Sequence, residues 1–473
     1  MPTVAAERSA AHSLDRILIK PAAESSEIQL LQFHTEQGTR VLRRFNSGTQ
    51  VIGLPPGAAV SNVIDSYRRS GLVQFAEPNH FVARAAQPDD PYFAAGLQWS
   101  LMNTGVLNDV PLADIGAVQG WEYQHSASNI IVAILDTGIR YTHEDLAPNL
   151  WVNTNDGSFG FNAFAMTNDP ADDDGHGTQI AGIIGAVGNN GKGITGVAWH
   201  LQMMACKTLD NNGVGTDESI VASLEFARTN GARIVNASFS GMNFSESVSN
   251  ELAILRESGI IVVAAAGNDW CDVDTLPTYP ACYDLDNIVS VGFTDDEDFL
   301  GFRSNFGLTN VDLMAPGSPP SLFSVSIAAD DAYEPANEVN AGTSYAAAHV
   351  TGALALILER FPNEDYQTSL RRLMLAVDKV PQLEGTCVTG GRLNLVRAFN
   401  PPIEISVVAV TDESFELQVV TSPNREIVIE SSLDLFNWSP IHTNSTSNLG
   451  TFHFVDNAVT NSTQQFYRVA TLP

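Results

Sequence analysis

The stretch IIVAILDTGI, residues 130–139, carries an apolar run straight into a carboxylate, Asp136, with a glycine turn behind it. Apolar runs of the same kind recur as HLQMMAC (200–206), ARIVNAS (232–238), GIIVVAAAG (259–267) and NIVSVGF (287–293). Between them lie segments with helical spacing, such as TDESIVASLEFARTNG (216–231) and NELAILRESG (250–259). Strands that are apolar on both faces and joined by helical crossovers form a parallel sheet covered on both sides. The prediction for residues 86–400 is therefore a three-layer α/β/α domain with a mainly parallel sheet.

Outward from this block the pattern changes twice. Residues 14–85 read as a small α+β unit: strands at RILIK, RVLRRF, TQVIGLP and LVQFAEPNHFVA, with helices at SSEIQLLQFHTEQ and AAVSNVIDSYRRSG. Residues 1–13 read as disordered. After NPP (400–402), short alternating runs such as FELQVVTS, EIVIESS and GTFHFVD give a small all-β module over 401–473. Charge follows the same division. Through Ala85 there are 9 basic and 7 acidic residues, which leaves 15 basic against 47 acidic in the rest of the 473-residue chain.

A net charge of −30 disfavours nucleic acid and anionic membrane as partners, because both are bound through Lys and Arg. No apolar run approaches the roughly 18 residues of a membrane span. Cys271 and Cys282 sit in one loop-rich stretch and could close a small disulfide loop, whereas Cys206 and Cys387 have no evident partner.

Parallel sheets carry their sites beyond the carboxyl ends of their strands, and four segments bring reactive groups there. Asp136 ends the first strand. In DDDGHGTQIAGIIGAVG (172–188), His176 stands between glycines at a helix entrance. GIIVVAAAGND (259–269) ends in Gly267-Asn268, whose amide could donate to an oxyanion. NAGTSYAAAHVTG (340–352) sets Ser344 before a buried helical run. Taken singly, Asp136 could cap a turn, His176 could be structural and Ser344 could be a helix N-cap.

Together they give the order Asp, His, Ser with an Asn before the serine, and in this order the sequence resembles the subtilisin-like serine proteases, in their thermitase-like branch. The resemblance spans residues 14 to about 400 and implies a secreted serine endopeptidase. It makes Ser344 the nucleophile, His176 the general base and acid, Asp136 its orienter, and Asn268 an oxyanion donor. Residues 14–85 resemble an inhibitor-type propeptide, with self-cleavage expected at Ala85–Ala86 or, second, Arg84–Ala85. The partners implied are peptide substrates and the chain's own propeptide; a monomer is expected, with no membrane span, and any signal peptide lies outside this numbering. Two departures stand out. Tyr345 occupies the usual Met position after the nucleophile and Ala348 the usual Pro position. Tyr345 would bring a phenol near the oxyanion site or pack in the core.

The resemblance lays substrate as an added strand between Gly213–Gly215 and the segment Ser238–Gly241. Ala265, Ala266 and Gly267 wall the primary pocket, and Thr278 forms its floor. That floor points to neutral side chains of moderate size, while Asp269 at the rim would draw a basic one. A structural Ca²⁺ is also implied, held by Asp90, Asp145 and Asn190 side chains and by the carbonyls of Val187, Lys192 and Ile194. Asp169, Asp172 and Asp173 offer a second site, although Ala165 and Thr167 stand where further carboxylates would be needed. The tail loosely resembles terminal modules of secreted bacterial proteins and gives no functional reading.

Overall fold

The structure is a computed structural model that describes residues 12–22, 25–55, 57–80, 87–105, 110–318, 323–335, 342–411, 414–433, 438–457 and 465–471. The chain forms two compact units, Met1–Arg84 and Ala85–Pro473. Both cleavage positions named above fall in 81–86, outside the described residues.

In the first unit, β1 (His12–Pro21), β2 (Arg40–Arg44), β3 (Gln50–Gly53) and β4 (Val73–His80) pair in the order β2-β3-β1-β4. Their pairings are antiparallel. Alternate residues Ile17 and Ile19 of β1 point to one face and pack on Leu30, Ile52, Val63, Ile64 and Tyr67. The helix Glu27–Glu36 supplies Leu30, and the helix Val60–Arg69 supplies Val63, Ile64 and Tyr67. The first of these helices starts at a capping box in which Ser26 and Gln29 satisfy each other's backbone N–H.

The second unit is built on a nine-stranded sheet, whose first seven strands in chain order are β5 (Ser126–Asp136), β6 (Gly160–Asn162), β7 (His200–Lys207), β8 (Ile234–Ala237), β9 (Ile261–Ala265), β10 (Ile288–Thr294) and β11 (Leu313–Pro316). A separate hairpin follows, β12 (Phe323–Val325) with β13 (Tyr333–Pro335), and lies against the helix His176–Gly185. The strands β14 (Val377–Lys379) and β15 (Gly391–Leu393) then complete the sheet. Its order is β14-β15-β11-β10-β9-β8-β5-β7-β6, and only β14 runs antiparallel to its neighbour. The strands are apolar on both faces because both faces are covered. On β5, Val132 and Ile134 face one layer, with the helices His176–Gly185 and Thr343–Arg360. Ala133 and Leu135 face the other, with the helices Asp217–Thr229 and Glu246–Glu257. The fold is thus the three-layer α/β/α arrangement read from the sequence.

Sheet order places the site. After β5 the chain forms β6 and β7 on one side and then β8 on the other, so Asp136 ends the strand where the order reverses. The C-terminal strands are β16 (Glu404–Val410), β17 (Phe415–Val420), β18 (Glu426–Ser432), β19 (Ser439–Ser445), β20 (Thr451–Asp456) and β21 (Phe466–Thr471). They form two antiparallel three-stranded sheets, β16-β17-β20 and β19-β18-β21. Leu417, Val419, Ile427, Ile429 and Phe454 make their small core. Among the described residues, no helix is long and apolar enough to cross a membrane. Cys271 and Cys282 are both free thiols.

Candidate active site

Asp136 is fully buried at the tip of β5. Its Oδ1 accepts from His176 Nδ1 at 2.8 Å and from the Thr137 backbone N–H at 2.8 Å. The Thr137 hydroxyl in turn accepts from Gly177 N–H at 2.9 Å, which ties the strand tip to the first turn of the His176 helix. Gly177 permits that approach, since a Cβ there would lie 2.2 Å from the Gly138 carbonyl oxygen. The helix begins at Gly175, which has no side chain to cap it. Asp172 does so instead, accepting from Gly175 and Thr178 N–H, each at 3.0 Å.

Burial alone would lower the His176 pKa, but the charge and hydrogen bond of Asp136, with Asp174 and Asp172 nearby, outweigh it and raise the value above the ordinary 6.5. With Nδ1–H committed to Asp136, the neutral ring carries its lone pair on Nε2. Asp136 Oδ2 is buried without a hydrogen-bond partner among the described residues. A charged imidazole is the group best able to offset that cost.

Ser344 does not cap its helix. The helix starts at Thr343, and Ser344 sits in its first turn, donating its hydroxyl to the Ser238 carbonyl at 3.0 Å. Ser238 returns a bond to the Ser344 carbonyl at 3.1 Å. The Ser344 hydroxyl is thus turned toward the end of β8, and among the described residues no hydrogen bond joins it to His176. Asn268 follows β9, and its Oδ1 accepts from Thr343 N–H and the Thr343 hydroxyl at 3.0 and 3.1 Å. The amide nitrogen is therefore directed away from Thr343. Gly342 is required at the same place: its φ is +146°, and a Cβ would meet Asn268 Oδ1 at 2.5 Å.

The remaining predicted residues fall as follows. Gly213 and Gly215 lie in the turn after β7, with Val214 exposed between them, and that turn is anchored where Thr208 and Leu209 N–H donate to the Asp136 carbonyl at 2.8 and 3.0 Å. Ser238 and Gly241 follow β8, and Gly241 exchanges backbone bonds with Tyr279 at 2.9 and 2.7 Å. Thr278 is buried, its hydroxyl donating to the Ala266 carbonyl at 2.7 Å. Asp269 is exposed.

Tyr345 packs in the core. It is fully buried and its hydroxyl donates to Gln179 Oε1 at 2.5 Å. Its ring centroid is 6.4 Å from that of His176. Gln179 and Thr343 escaped the sequence reading. Each neighbours a motif, but nothing in one sequence tells a supporting side chain from an ordinary helix residue.

Asp90 and Asp145 are fully buried. Asp145 Oδ1 accepts from Asn190 Nδ2 at 2.7 Å, and Asp90 Oδ2 from Asn189 N–H at 2.7 Å. The loop after the His176 helix is thereby clasped between two carboxylates, and burial pushes each up to about 6. Lys192 extends its ammonium to Glu144 at 2.5 Å instead of to either. No three His, Cys, Asp or Glu side chains converge as a metal group among the described residues, so a cation here would rest on two carboxylates, Asn190 and backbone oxygens. That all-oxygen set fits Ca²⁺. The three aspartates of the second candidate site are separately engaged: Asp172 caps its helix, Asp173 pairs with Lys207 at 2.6 Å, and Asp169 accepts from Tyr141 at 3.1 Å.

Residues 127–385 match the Subtilase family, and residues 2–79 match the fervidolysin N-terminal prodomain. The chain belongs to the subtilase family. It is 32% identical over 342 residues to a "Thermophilic serine proteinase" of Bacillus sp. (strain AK1), covering 72% of this chain and 76% of that one. It is also 32% identical to "Thermitase" of Thermoactinomyces vulgaris, covering 57% of this chain and 85% of the relative. Among solved structures, one of proteases from Pseudoalteromonas arctica PAMC 21717 shares the fold at a TM-score of 0.54 and 25% identity, over 66% of this chain and 98% of that one. This subtilase is accordingly a subtilisin-like serine peptidase preceded by a prodomain.

Proposed function

We propose that this subtilase is an extracellular endopeptidase made as a self-inhibited precursor, with residues 14–85 as propeptide, 86–400 as catalytic domain and 401–473 as an appended β-module. The observation that carries the reading is the buried Asp136 bonded at 2.8 Å to a partly exposed His176. In the proposed reaction the Ser344 hydroxyl turns from Ser238 to His176 Nε2. His176 takes its proton as Oγ attacks the peptide carbonyl, then protonates the leaving amine. The imidazolium formed between these steps is stabilised by Asp136. Asn268 Nδ2 and the Ser344 backbone N–H receive the oxyanion, and water then releases the acyl group from Ser344.

Substrate would lie between Gly213–Gly215 and Ser238–Gly241, with its side chain reaching Ala265, Gly267 and Thr278. In support, the Thr278 hydroxyl proton is committed to Ala266, and threonine brings no charge to that floor. Asp90, Asp145 and Asn190, with the Val187, Lys192 and Ile194 carbonyls, would hold Ca²⁺, which when bound neutralises the two buried carboxylates and stiffens the loop.

Expression of the full chain and of Ser344→Ala in a protease-deficient host tests the proposal. The wild type should lose residues up to about 85 and the variant should stay near full length. Equal processing of both would rule out self-cleavage. Casein and a short ester, assayed with and without a serine-directed phosphonate, check the activity. Ester turnover without casein cleavage would make it an esterase, and no turnover of either would make it a binding protein on a protease fold.

A further inference from the structure

The base and the nucleophile of the proposed reaction stand on the first turns of two different helices, and a side-chain hydrogen bond joins those turns. Tyr345, next to Ser344, donates its hydroxyl to Gln179, one turn after His176, at 2.5 Å. Gln179 Nε2 donates in turn to Glu334 Oε1, at 2.6 Å, on β13. The Ser324 hydroxyl on β12 donates to the Gln179 carbonyl at 2.6 Å, so the hairpin holds Gln179 by side chain and backbone alike.

The direction of these bonds is fixed by chemistry. A carboxylate oxygen accepts, so Glu334 Oε1 faces the NH₂ end of the Gln179 amide. The amide oxygen must then face Tyr345. The phenol, fully buried and kept protonated by burial, then by the charges of Glu334 and Asp136, must donate to that oxygen. A thioether, the family's usual side chain at position 345, could not make the same bond.

We propose that Gln179 and Glu334 are positioning residues that lock Tyr345 and thereby set the spacing between the His176 helix and the Ser344 helix. This rests on the assignment of His176 and Ser344 made above. Neither Gln179 nor Glu334 touches substrate; they act by holding the reacting pair in register, where a misplacement of about 1 Å costs about 100-fold in rate.

The test is kinetic, on a peptide anilide, with the rate of Ser344 modification by an organophosphonate measured in parallel. Tyr345→Phe and Gln179→Leu should each lower kcat and the modification rate by about tenfold, with KM within about twofold of wild type. The double variant should be no slower than the slower single one, since both remove the same tie. Glu334→Gln retains an acceptor oxygen and should stay near wild type, whereas Glu334→Leu should fall to the level of Gln179→Leu. Glu334 is only partly buried, so this last pair carries the test if the core variants fail to fold. Wild-type kcat in Tyr345→Phe, multiplicative losses in the double variant, or equal losses in the two Glu334 variants would overturn the proposal. Failure of the underlying assignment reads differently: His176→Ala would then keep substantial activity.

Discussion

Thr343 holds Asn268 by two hydrogen bonds to the same oxygen, from its backbone N–H at 3.0 Å and from its hydroxyl at 3.1 Å. The residue before the proposed nucleophile thus aims the proposed oxyanion donor. Asn268→Leu should reduce kcat by about 10²- to 10³-fold with little change in KM, the scale one such donor commands in a subtilisin. Thr343→Val keeps the backbone donor and removes the hydroxyl, so a smaller loss of about tenfold is expected. Steady-state kinetics on one peptide anilide distinguish the two, and an Asn268→Leu enzyme with unchanged kcat would remove Asn268 from the reaction.

The activity should carry an acid limb set by His176. As a base the imidazole must be neutral, and its pKa is raised above 6.5 because Asp136, Asp174 and Asp172 outweigh the lowering by burial. The half-maximal point of kcat/KM is therefore expected above the ordinary 6.5 of a histidine and should move down in Asp174→Asn. The stabilising part runs the same way: an imidazolium favoured in the folded state contributes fully below about pH 6.5 and less as pH rises through the folded value. A limb that stays in place in Asp174→Asn would mean that this charge does not reach the ring.

How far the molecule can be read from its sequence depends on whether the signal is local. Apolar runs such as 130–135 disclosed the parallel sheet because a strand covered on both faces has no polar residues to spare. Asp136, His176, Asn268 and Ser344 stood out as candidates because each lies at or just beyond a strand end or in the first turn of a helix, within two residues of a glycine. Tyr345 was only half legible. Its replacement of the usual Met was visible, but its direction depends on Gln179 and Glu334, which are 166 and 11 positions away. The rotation of the Ser344 hydroxyl toward Ser238 is a tertiary fact of the same kind, and so is the separate use of Asp169, Asp172 and Asp173 by Tyr141, a helix terminus and Lys207.

Tyr345 also bears on oxidation. A Met beside the nucleophile gains a polar oxygen when oxidised, whereas the buried phenol has no thioether to modify. The wild type should retain activity at a peroxide concentration that inactivates Tyr345→Met. Residual activity after timed exposure, followed by removal of the oxidant, is the measurement. Equal loss in both proteins would place the sensitive group elsewhere.

Calcium is tested at the loop between Asp90 and Asp145. Both carboxylates are fully buried, each already accepts a hydrogen bond at 2.7 Å from the loop, and burial disfavours their charged forms. A divalent cation bound there would remove that cost, and because it binds the folded state it would stabilise by mass action. At about a hundredfold excess over Kd this amounts to about 2.7 kcal/mol, or a shift in melting temperature of roughly 5 °C. Wild type in calcium should therefore melt above wild type in chelator, and self-digestion should be faster in chelator. Asp145→Ala discards one of the two charges and frees the Asn190 amide, so it should melt near the chelated wild type in either condition. A chelator shift as large in Asp145→Ala as in wild type would assign the stabilising ion to another place on the molecule.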